Sequence, residues 1–400
     1  MKIAFFNTYE PVNTFYRDLI PYLARKGLEI ELIISGSEYR SGRGKIEDVL
    51  THQNISVQYI PAPPFGARGR YAKAGIMASY SLGAIIRTLL GPKCDLHFFL
   101  SQPPFFSFFG FILKRLVNRP YACMIMDLYP EALVLDGVLK PDSLVTRLLR
   151  ALTRITLNGA DFVVVIGRCM FNKLSSLGVN SDNIHYIPNW TNDGLLTSIP
   201  KENNLLLSQL GLDKDFVVLY SGNMGVSHYF DDILEVARRC AHLERLRFLF
   251  IGDGYRRKEI ESFVEKHRLG NVQILPYQPA NLLSASLSLG DVHFVSLRHG
   301  FEGVVVPSKA YSSLAVGRPL IYQGSAAGEI ARMIAEEGIG SVVPLGCPNL
   351  LEQTILKYFR NKSLTLNQGG KANNLSHSKY SYRMHLRKYA DIIMQTIGNE

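Results

Sequence analysis

The run Val217-Val218-Leu219-Tyr220-Ser221-Gly222-Asn223-Met224-Gly225-Val226-Ser227-His228 ends an apolar, strand-like stretch in two glycines, and a helical pattern begins near Asp231. Glycines at such a turn let the backbone approach a ligand closely, and the helix beyond offers unpaired N–H groups and a positive dipole end. The matching chemistry is anion binding, with a diphosphate as the natural guest. Asp231 is the expected helix cap, and Ile233, Leu234, Val236, Ala237 and Cys240 form the apolar face. A second glycine exit follows in Phe250-Ile251-Gly252-Asp253-Gly254. Further along stands Gly300-Phe301-Glu302-Gly303-Val304-Val305-Val306-Pro307-Ser308-Lys309-Ala310-Tyr311, in which Pro307-Ser308 opens a capped helix that closes at Gly317. Lys309 falls in the first turn of that helix, where a cation opposes the dipole unless an anion is near. Its presence there argues for a bound phosphate.

The elements that must hold these residues alternate short apolar runs with longer segments of helical period, the pattern of parallel sheets covered by helices on both faces. Lys2–Asn7, Glu29–Ile34, Ser56–Ile60, Leu96–Leu100, Tyr121–Met126 and Phe162–Ile166 read as strands of a first half. Phe216–Ser221, Arg247–Ile251, Val272–Leu275, Val292–Leu297 and Pro319–Tyr322 read as strands of a second, so the alternation restarts near residue 216. Between them Ile187-Pro188-Asn189-Trp190-Thr191-Asn192-Asp193-Gly194, and polar sequence to about Leu206, breaks both periods. This places one doubly wound domain at 1–195 and a second at 196–378. In the remaining segment, 379–400, Tyr382, Leu386, Tyr389, Ile392, Ile393 and Ile397 recur at helical spacing, which predicts a terminal helix packing back on the first domain.

Bulk properties narrow the function. A chain of 400 residues suits two domains, and 47% apolar with 20% charged residues is a folded composition. The five cysteines are scattered and odd in number, which gives no disulfide framework or Cys-x-x-Cys metal site. The N-terminal residues lack a signal-peptide core, and no run nears the roughly 18 apolar residues of a membrane span. A cytoplasmic protein is expected. The formal charge of +10 is concentrated: between Val49 and Met126 the only acid is Asp95, against eight Lys and Arg. Phe65, Tyr71, Tyr80, Phe105, Phe106, Phe108, Phe109 and Phe111 share that stretch, a mixture suited to peripheral contact with an anionic membrane at the inner face. No basic-aromatic nucleic-acid motif or helix-turn-helix pattern accompanies it, which argues against nucleic acid as a partner. The first strand is followed by Thr8-Tyr9-Glu10-Pro11-Val12-Asn13, without the Gly-x-Gly-x-x-Gly of a dinucleotide dehydrogenase.

The ordered set Ser221-Gly222-Asn223-Met224-Gly225, His228, Phe230-Asp231, Gly252-Asp253-Gly254, Leu275-Pro276-Tyr277, Asp291-Val292-His293, Val306-Pro307-Ser308-Lys309 and Ala315-Val316-Gly317-Arg318-Pro319 resembles glycosyltransferase family 4. The bacterial branch that builds O-antigen, capsule and exopolysaccharide is the most similar. Met126-Asp127-Leu128-Tyr129-Pro130-Glu131 and Ile187-Pro188-Asn189-Trp190 extend the likeness into the first half. The resemblance implies a GT-B fold, two Rossmann-like domains facing a central cleft, with retaining transfer from a nucleotide-diphosphate sugar, a UDP-sugar by preference. It also implies that no metal or other cofactor is needed, and no Asp-x-Asp cluster is present to hold one. Carried over, Gly222, Asn223, Met224 and Gly225 face the donor phosphates, with His228, Gly252, Asp253 and Gly254 beside them. Lys309 and the Ser308 amide stabilise the leaving diphosphate, since donors aimed at developing charge do most of the work in such a transfer. Tyr277 and Gln278 contact the base, while Glu302, with Gly303, Val306 and Pro307, borders the ribose or sugar. Asp127, at the carboxyl edge of its strand, orients or deprotonates the acceptor hydroxyl, with Glu131 as second candidate. The base-and-aromatic stretch from 65 to 119 makes a polyprenyl-diphosphate-linked saccharide the expected acceptor, with another saccharide as the alternative.

Two departures accompany the likeness. Val304 and Ser312 stand where the family commonly has paired glutamates, and Val226 replaces a basic residue after the glycine loop. His228 or Lys309 must then supply that charge. A sugar-nucleotide epimerase of the same architecture and a non-catalytic partner subunit are the competing readings.

Overall fold

The computed structural model describes residues 1–7, 14–36, 52–61, 70–192 and 195–398. Phe65, Arg68 and the segment Thr8 to Asn13 singled out above lie outside the described residues. The chain forms two compact units, Met1–Pro188 with Arg383–Glu400, and Asn189–Tyr382.

In the first unit the strands β1 (Lys2–Asn7), β2 (Glu29–Ser35), β3 (Ile55–Ile60), β4 (Leu96–Leu100), β5 (Tyr121–Ile125), β6 (Phe162–Val165) and β7 (Ile184–Tyr186) pair in parallel in the order β3-β2-β1-β4-β5-β6-β7. The helices are α1 (Thr14–Arg25), α2 (Arg70–Leu90), α3 (Phe108–Val117), α4 (Glu131–Leu135), α5 (Leu144–Gly159) and α6 (Arg168–Ser176). Central strands β4 and β5 are buried along their whole length, as the unbroken runs Leu96–Leu100 and Tyr121–Ile125 require of a sheet covered on both faces. β7 was not anticipated, because Ile184-His185-Tyr186 is too short to display a period.

The second unit pairs β8 (Phe216–Ser221), β9 (Leu246–Ile251), β10 (Val272–Leu275), β11 (Val292–Ser296), β12 (Leu320–Gln323) and β13 (Gly340–Val343) in the order β10-β9-β8-β11-β12-β13, again all parallel. Its helices are α7 (Leu205–Gln209), α8 (Asp231–Arg239), α9 (Arg257–His267), α10 (Leu283–Leu287), α11 (Lys309–Ala315), α12 (Glu329–Glu337), α13 (Pro348–Arg360) and α14 (Lys362–His377). The short β13, Gly340-Ser341-Val342-Val343, also escaped the reading of periodicity.

Several expectations change here. Tyr80, Phe106 and Phe109 belong to the core of the first unit, where Phe106 packs edge-on to Phe6 and Tyr80 at 5.8 Å, so these rings are unavailable to a membrane. Each aromatic that is removed from water stabilises more than any headgroup contact offers, which is why the core claims them. Asp231 does not cap α8: Phe230 occupies the cap position and the Asp231 carboxylate pairs with Arg256 at 3.1 Å. The Ser308 side chain likewise makes no capping bond to α11. Among the described residues no helix is long and apolar enough to cross a membrane.

The last helix, α15 (Tyr382–Gly398), buries Leu386, Tyr389 and Ile393, and the Tyr389 hydroxyl lies 3.6 Å from the Met124 sulfur of β5. Leu386→Ala should therefore cost about 2–5 kcal/mol as a core truncation. Met394→Ala, on the exposed side of the same helix, should change stability by about 0.5 kcal/mol or less. Thermal denaturation of the two variants side by side measures the difference.

Candidate functional site

All six strands of the second sheet are parallel, so the loops that leave β8, β9, β10 and β11 emerge along one edge. The chain order reverses between β8 and β11, and open parallel sheets bind ligands at such a switch point.

The glycines of these loops solve a packing problem. Gly222, Gly252 and Gly254 have φ of +136°, +139° and +148°, a region that side chains rarely tolerate. A Cβ on Gly252 would stand 2.1 Å from the Gly222 carbonyl, one on Gly254 2.6 Å from the Met224 carbonyl, and one on Gly222 2.7 Å from Cε of Lys309. The β8 and β9 exits thus lie flat against each other, and the lysine stem crosses Gly222. Hydrogen bonds continue the pairing past the strand ends: Gly222 N–H donates to Ile251 O at 2.8 Å, Met224 N–H to Asp253 O at 2.8 Å, and Gly252 N–H to Leu275 O at 2.9 Å. Gly254 N–H donates to the Asp253 carboxylate at 2.8 Å. Those amides are engaged in the fold. The Gly225 and Ser308 amides, by contrast, have no partner among the described residues.

Lys309 is the chemical centre of this edge. Its Nζ is 2.8 Å from Nε2 of His228, and its charge stands 5.2 Å from the centre of the Tyr220 ring. His228 Nδ1 lies 2.7 Å from the Ser296 carbonyl, which can only accept, so Nδ1 carries the ring proton and Nε2 presents a lone pair to the lysine. Burial, followed by the Lys309 charge, lowers the His228 pKa to about 3 and keeps the ring neutral. Burial lowers the Lys309 pKa to about 7. Among the described residues no carboxylate pairs with Lys309. Because its folded pKa lies below the 10.5 of an ordinary lysine, the unfolded chain binds the extra proton between those values, and this group's contribution to stability improves as pH rises through that window. A bound anion would reverse the effect by favouring the charged form.

Two further residues brace this edge, one of them against the lysine's helix. His293 is buried, donates from Nε2 to Leu287 O at 2.9 Å, and accepts from the Ser313 hydroxyl on α11 through Nδ1. Asp291 accepts from Val217 N–H at 2.8 Å and from Lys201 at 2.6 Å, which ties the β11 and β8 starts together. The Asp291-Val292-His293 motif is therefore scaffolding for the site.

Arg298 was missed by the reading of the sequence. Its amide donates to Ser227 O at 2.9 Å and its guanidinium to Val226 O at 3.3 Å, while the side chain stays exposed. A cation thus reaches the loop at Val226 from across the switch point, over a separation of 72 residues. No local pattern signals such a pairing.

The remaining predicted residues spread along the same edge. Glu302 accepts from Gly300 N–H at 2.8 Å through one oxygen, and its other oxygen is buried without a hydrogen-bond partner among the described residues. Gly303, at φ +76°, turns the chain beside it, and Val304, Val306 and Pro307 are buried beneath. Ser312 donates to the Lys309 carbonyl at 2.9 Å. After β10, Tyr277 is exposed and Gln278 donates to Pro276 O at 3.0 Å.

In the first unit Asp127 follows β5, with its amide 3.2 Å from the Ser101 hydroxyl. It lines a cavity of about 40 Å³ with Phe99, Ser101, Phe105, Tyr129 and Thr153, and burial raises its pKa to about 6. Glu131 is a different case, because Arg150 takes both its oxygens at 2.8 and 3.0 Å. Its place is a buried ion pair and not a proton-transfer position, since the guanidinium fork occupies the lone pairs a base would use.

Residues 12–190 match the glycosyl transferase 4-like domain model, and residues 205–375 match that of glycosyl transferases group 1. The chain belongs to the glycosyltransferases. It is 29% identical over 279 residues to the probable glycosyltransferase WbjE of Pseudomonas aeruginosa, covering 70% of this chain and 69% of that one. It is 32% identical over 191 residues to the putative colanic acid biosynthesis glycosyl transferase WcaI of Escherichia coli, 47% of each. The crystal structure of Anabaena HepE in complex with UDP and glucose superposes with a TM-score of 0.73 at 15% identity, over 99% of this chain and 100% of that one. This glycosyltransferase accordingly has the GT-B fold, built from two parallel-sheet α/β units.

If the β8 and β9 exits require the contact between Gly222 and Gly252, Gly252→Ala should destabilise the enzyme by about 2–4 kcal/mol. Gly270→Ala, whose Cβ would meet no atom within 4 Å, is the control. Differential scanning calorimetry of both variants provides the measurement.

Proposed function

We propose that the second unit binds a UDP-sugar and that the enzyme transfers the sugar, with retention and without a divalent ion, to a polyprenyl-diphosphate-linked saccharide in bacterial surface-polysaccharide synthesis. One observation carries this reading: Lys309 is a part-buried cation at the switch point with a neutral imidazole and an aromatic face around it and, among the described residues, no carboxylate paired with it. A diphosphate supplies the missing charge. Gain of negative charge on that group as the sugar departs is what Lys309, the Ser308 amide and Arg298 are placed to stabilise. Glu302, one oxygen of which accepts no hydrogen bond among the described residues and has His299 Nδ1 3.9 Å away, is assigned to a ribose or sugar hydroxyl, and the exposed Tyr277 ring to the base. Asp127, whose pKa is raised to about 6, is the acceptor-side carboxylate, matched to proton transfer near neutral pH. HepE crystallised with UDP and glucose, and the colanic acid role given for WcaI, support donor and pathway class respectively.

A thermal-shift series with UDP, GDP and ADP tests the donor. UDP should give the largest stabilisation, undiminished by EDTA, and Lys309→Met, which keeps the stem across Gly222, should abolish it. A shift that survives this substitution removes Lys309 from the site. Incubation with UDP-sugar alone separates the reactions, since an epimerase would alter it without acceptor.

Protonation offers a second check. With the free lysine titrating at about 7, a bound diphosphate raises its pKa, so binding at pH 8 should take up close to one proton. UDP affinity should weaken as pH rises above neutrality. Calorimetry in buffers of different ionisation enthalpy reads that proton; an uptake near zero would mean that Lys309 is not the phosphate contact.

A further inference from the structure

We infer that Arg256 is a positioning residue for the donor diphosphate: it braces the loop Asn223–His228 with its carbonyls tied into the fold, so that consecutive amides are left for an anion. Its purpose rests on the proposed UDP-sugar donor.

Every carbonyl of this loop has a donor. The Tyr220 hydroxyl donates to Asn223 O at 2.6 Å, and Arg256 N–H donates to Met224 O at 2.9 Å. His228 N–H donates to Gly225 O at 3.2 Å and closes a turn. Arg298 takes the next two, Val226 O through its guanidinium at 3.3 Å and Ser227 O through its amide at 2.9 Å. Arg256 Nη1 takes the last, His228 O, at 2.9 Å.

The peptide bonds of the loop are trans, and a trans peptide carries its C=O and the following N–H on opposite sides. Holding the carbonyls of Met224, Gly225 and Val226 therefore turns the N–H groups of Gly225, Val226 and Ser227 the other way. Those three amides have no hydrogen-bond partner among the described residues. Successive free amides in a turn form an anion-binding concavity. A carbonyl released toward the same anion would repel it.

Arg256 is fitted to bracing and not to contact. It stands at the start of α9 with its side chain 13% exposed, against the Phe230 ring at 5.9 Å. Nε donates to Glu259 at 2.8 Å and Nη2 to Asp231 at 3.1 Å, which leaves Nη1 for the loop carbonyl. A cation at a helix start opposes the dipole, yet two stand together here, since the adjacent Arg257 donates to Gly252 O at 2.8 Å. The pair thus holds carbonyls of both glycine exits. The planar fork of a guanidinium can serve carboxylates and a carbonyl at once, as an ammonium cannot.

Uridine, which lacks the phosphates, is the control ligand. Titration calorimetry of the full chain gives the UDP affinity, and ligand-observed NMR gives that of uridine. Arg256→Leu should weaken UDP by about tenfold or more and leave uridine unchanged, because only the phosphates meet the loop amides. Arg256→Lys keeps the charge without the fork and should lose UDP affinity as well. Glu259→Gln removes an exposed ion pair but keeps the bond to His228 O, so it should bind UDP as wild type does. Equal losses of UDP and uridine in Arg256→Leu, wild-type UDP affinity in either Arg256 variant, or a matching loss in Glu259→Gln overturns the bracing role and leaves the donor reading intact. Wild type that binds UDP no better than uridine overturns the donor reading, and the bracing role with it.

Discussion

A single part-buried lysine stands at the centre of the second unit's loop edge. Lys309 sits against Tyr220 and His228 with its stem across Gly222, and the surroundings that hold it are neutral. Removing a cation from water without a counter-charge is unfavourable, and the depressed pKa records that cost. The arrangement persists because the fold over-determines it: the Ser296 carbonyl sets the His228 tautomer, and His293 secures the helix from below. A cation held in neutral surroundings of this kind is complementary to an anion.

The glycines serve that lysine more than they serve a ligand directly. A strand exit with φ near +140° is needed at Gly222 and Gly252 because the two backbones approach within the radius of a methyl group. Their amides complete the β8, β9 and β10 ladder beyond its formal ends. What remains available at the edge is Lys309, the Gly225 and Ser308 amides, the free oxygen of Glu302, and Arg298. At Val226, where the resemblance led to the expectation of a base, the Arg298 guanidinium from the loop after β11 donates to the backbone carbonyl at 3.3 Å.

The first unit divides its charged groups differently. Glu131 and Glu31 are committed to buried ion pairs with Arg150, Lys2 and Arg87. Asp127 alone of the two candidate carboxylates faces a cavity, with a raised pKa that suits proton transfer near neutrality. Burial of Phe106, Phe109 and Tyr80 moves the apolar exposure of this unit away from aromatic rings and onto aliphatic stripes of the covering helices.

Alternation of apolar runs with helical periods was enough to define two doubly wound halves, because strands buried on both faces read as near-continuous apolar runs that only a few partnered polar residues such as Glu31 and His293 interrupt. It was also enough to place Lys309 at a helix start, where α11 has it. Strands as short as Ile184–Tyr186 and Gly340–Val343 stayed hidden, since three or four residues hold no period. Tertiary structure alone decided that Asp231 pairs with Arg256, that Glu131 is neutralised by Arg150, and that Arg298 meets Val226. Those outcomes depend on contacts between residues far apart in sequence, and a side chain's partner, unlike its propensity, is set only when the sheet order brings distant segments to the same edge.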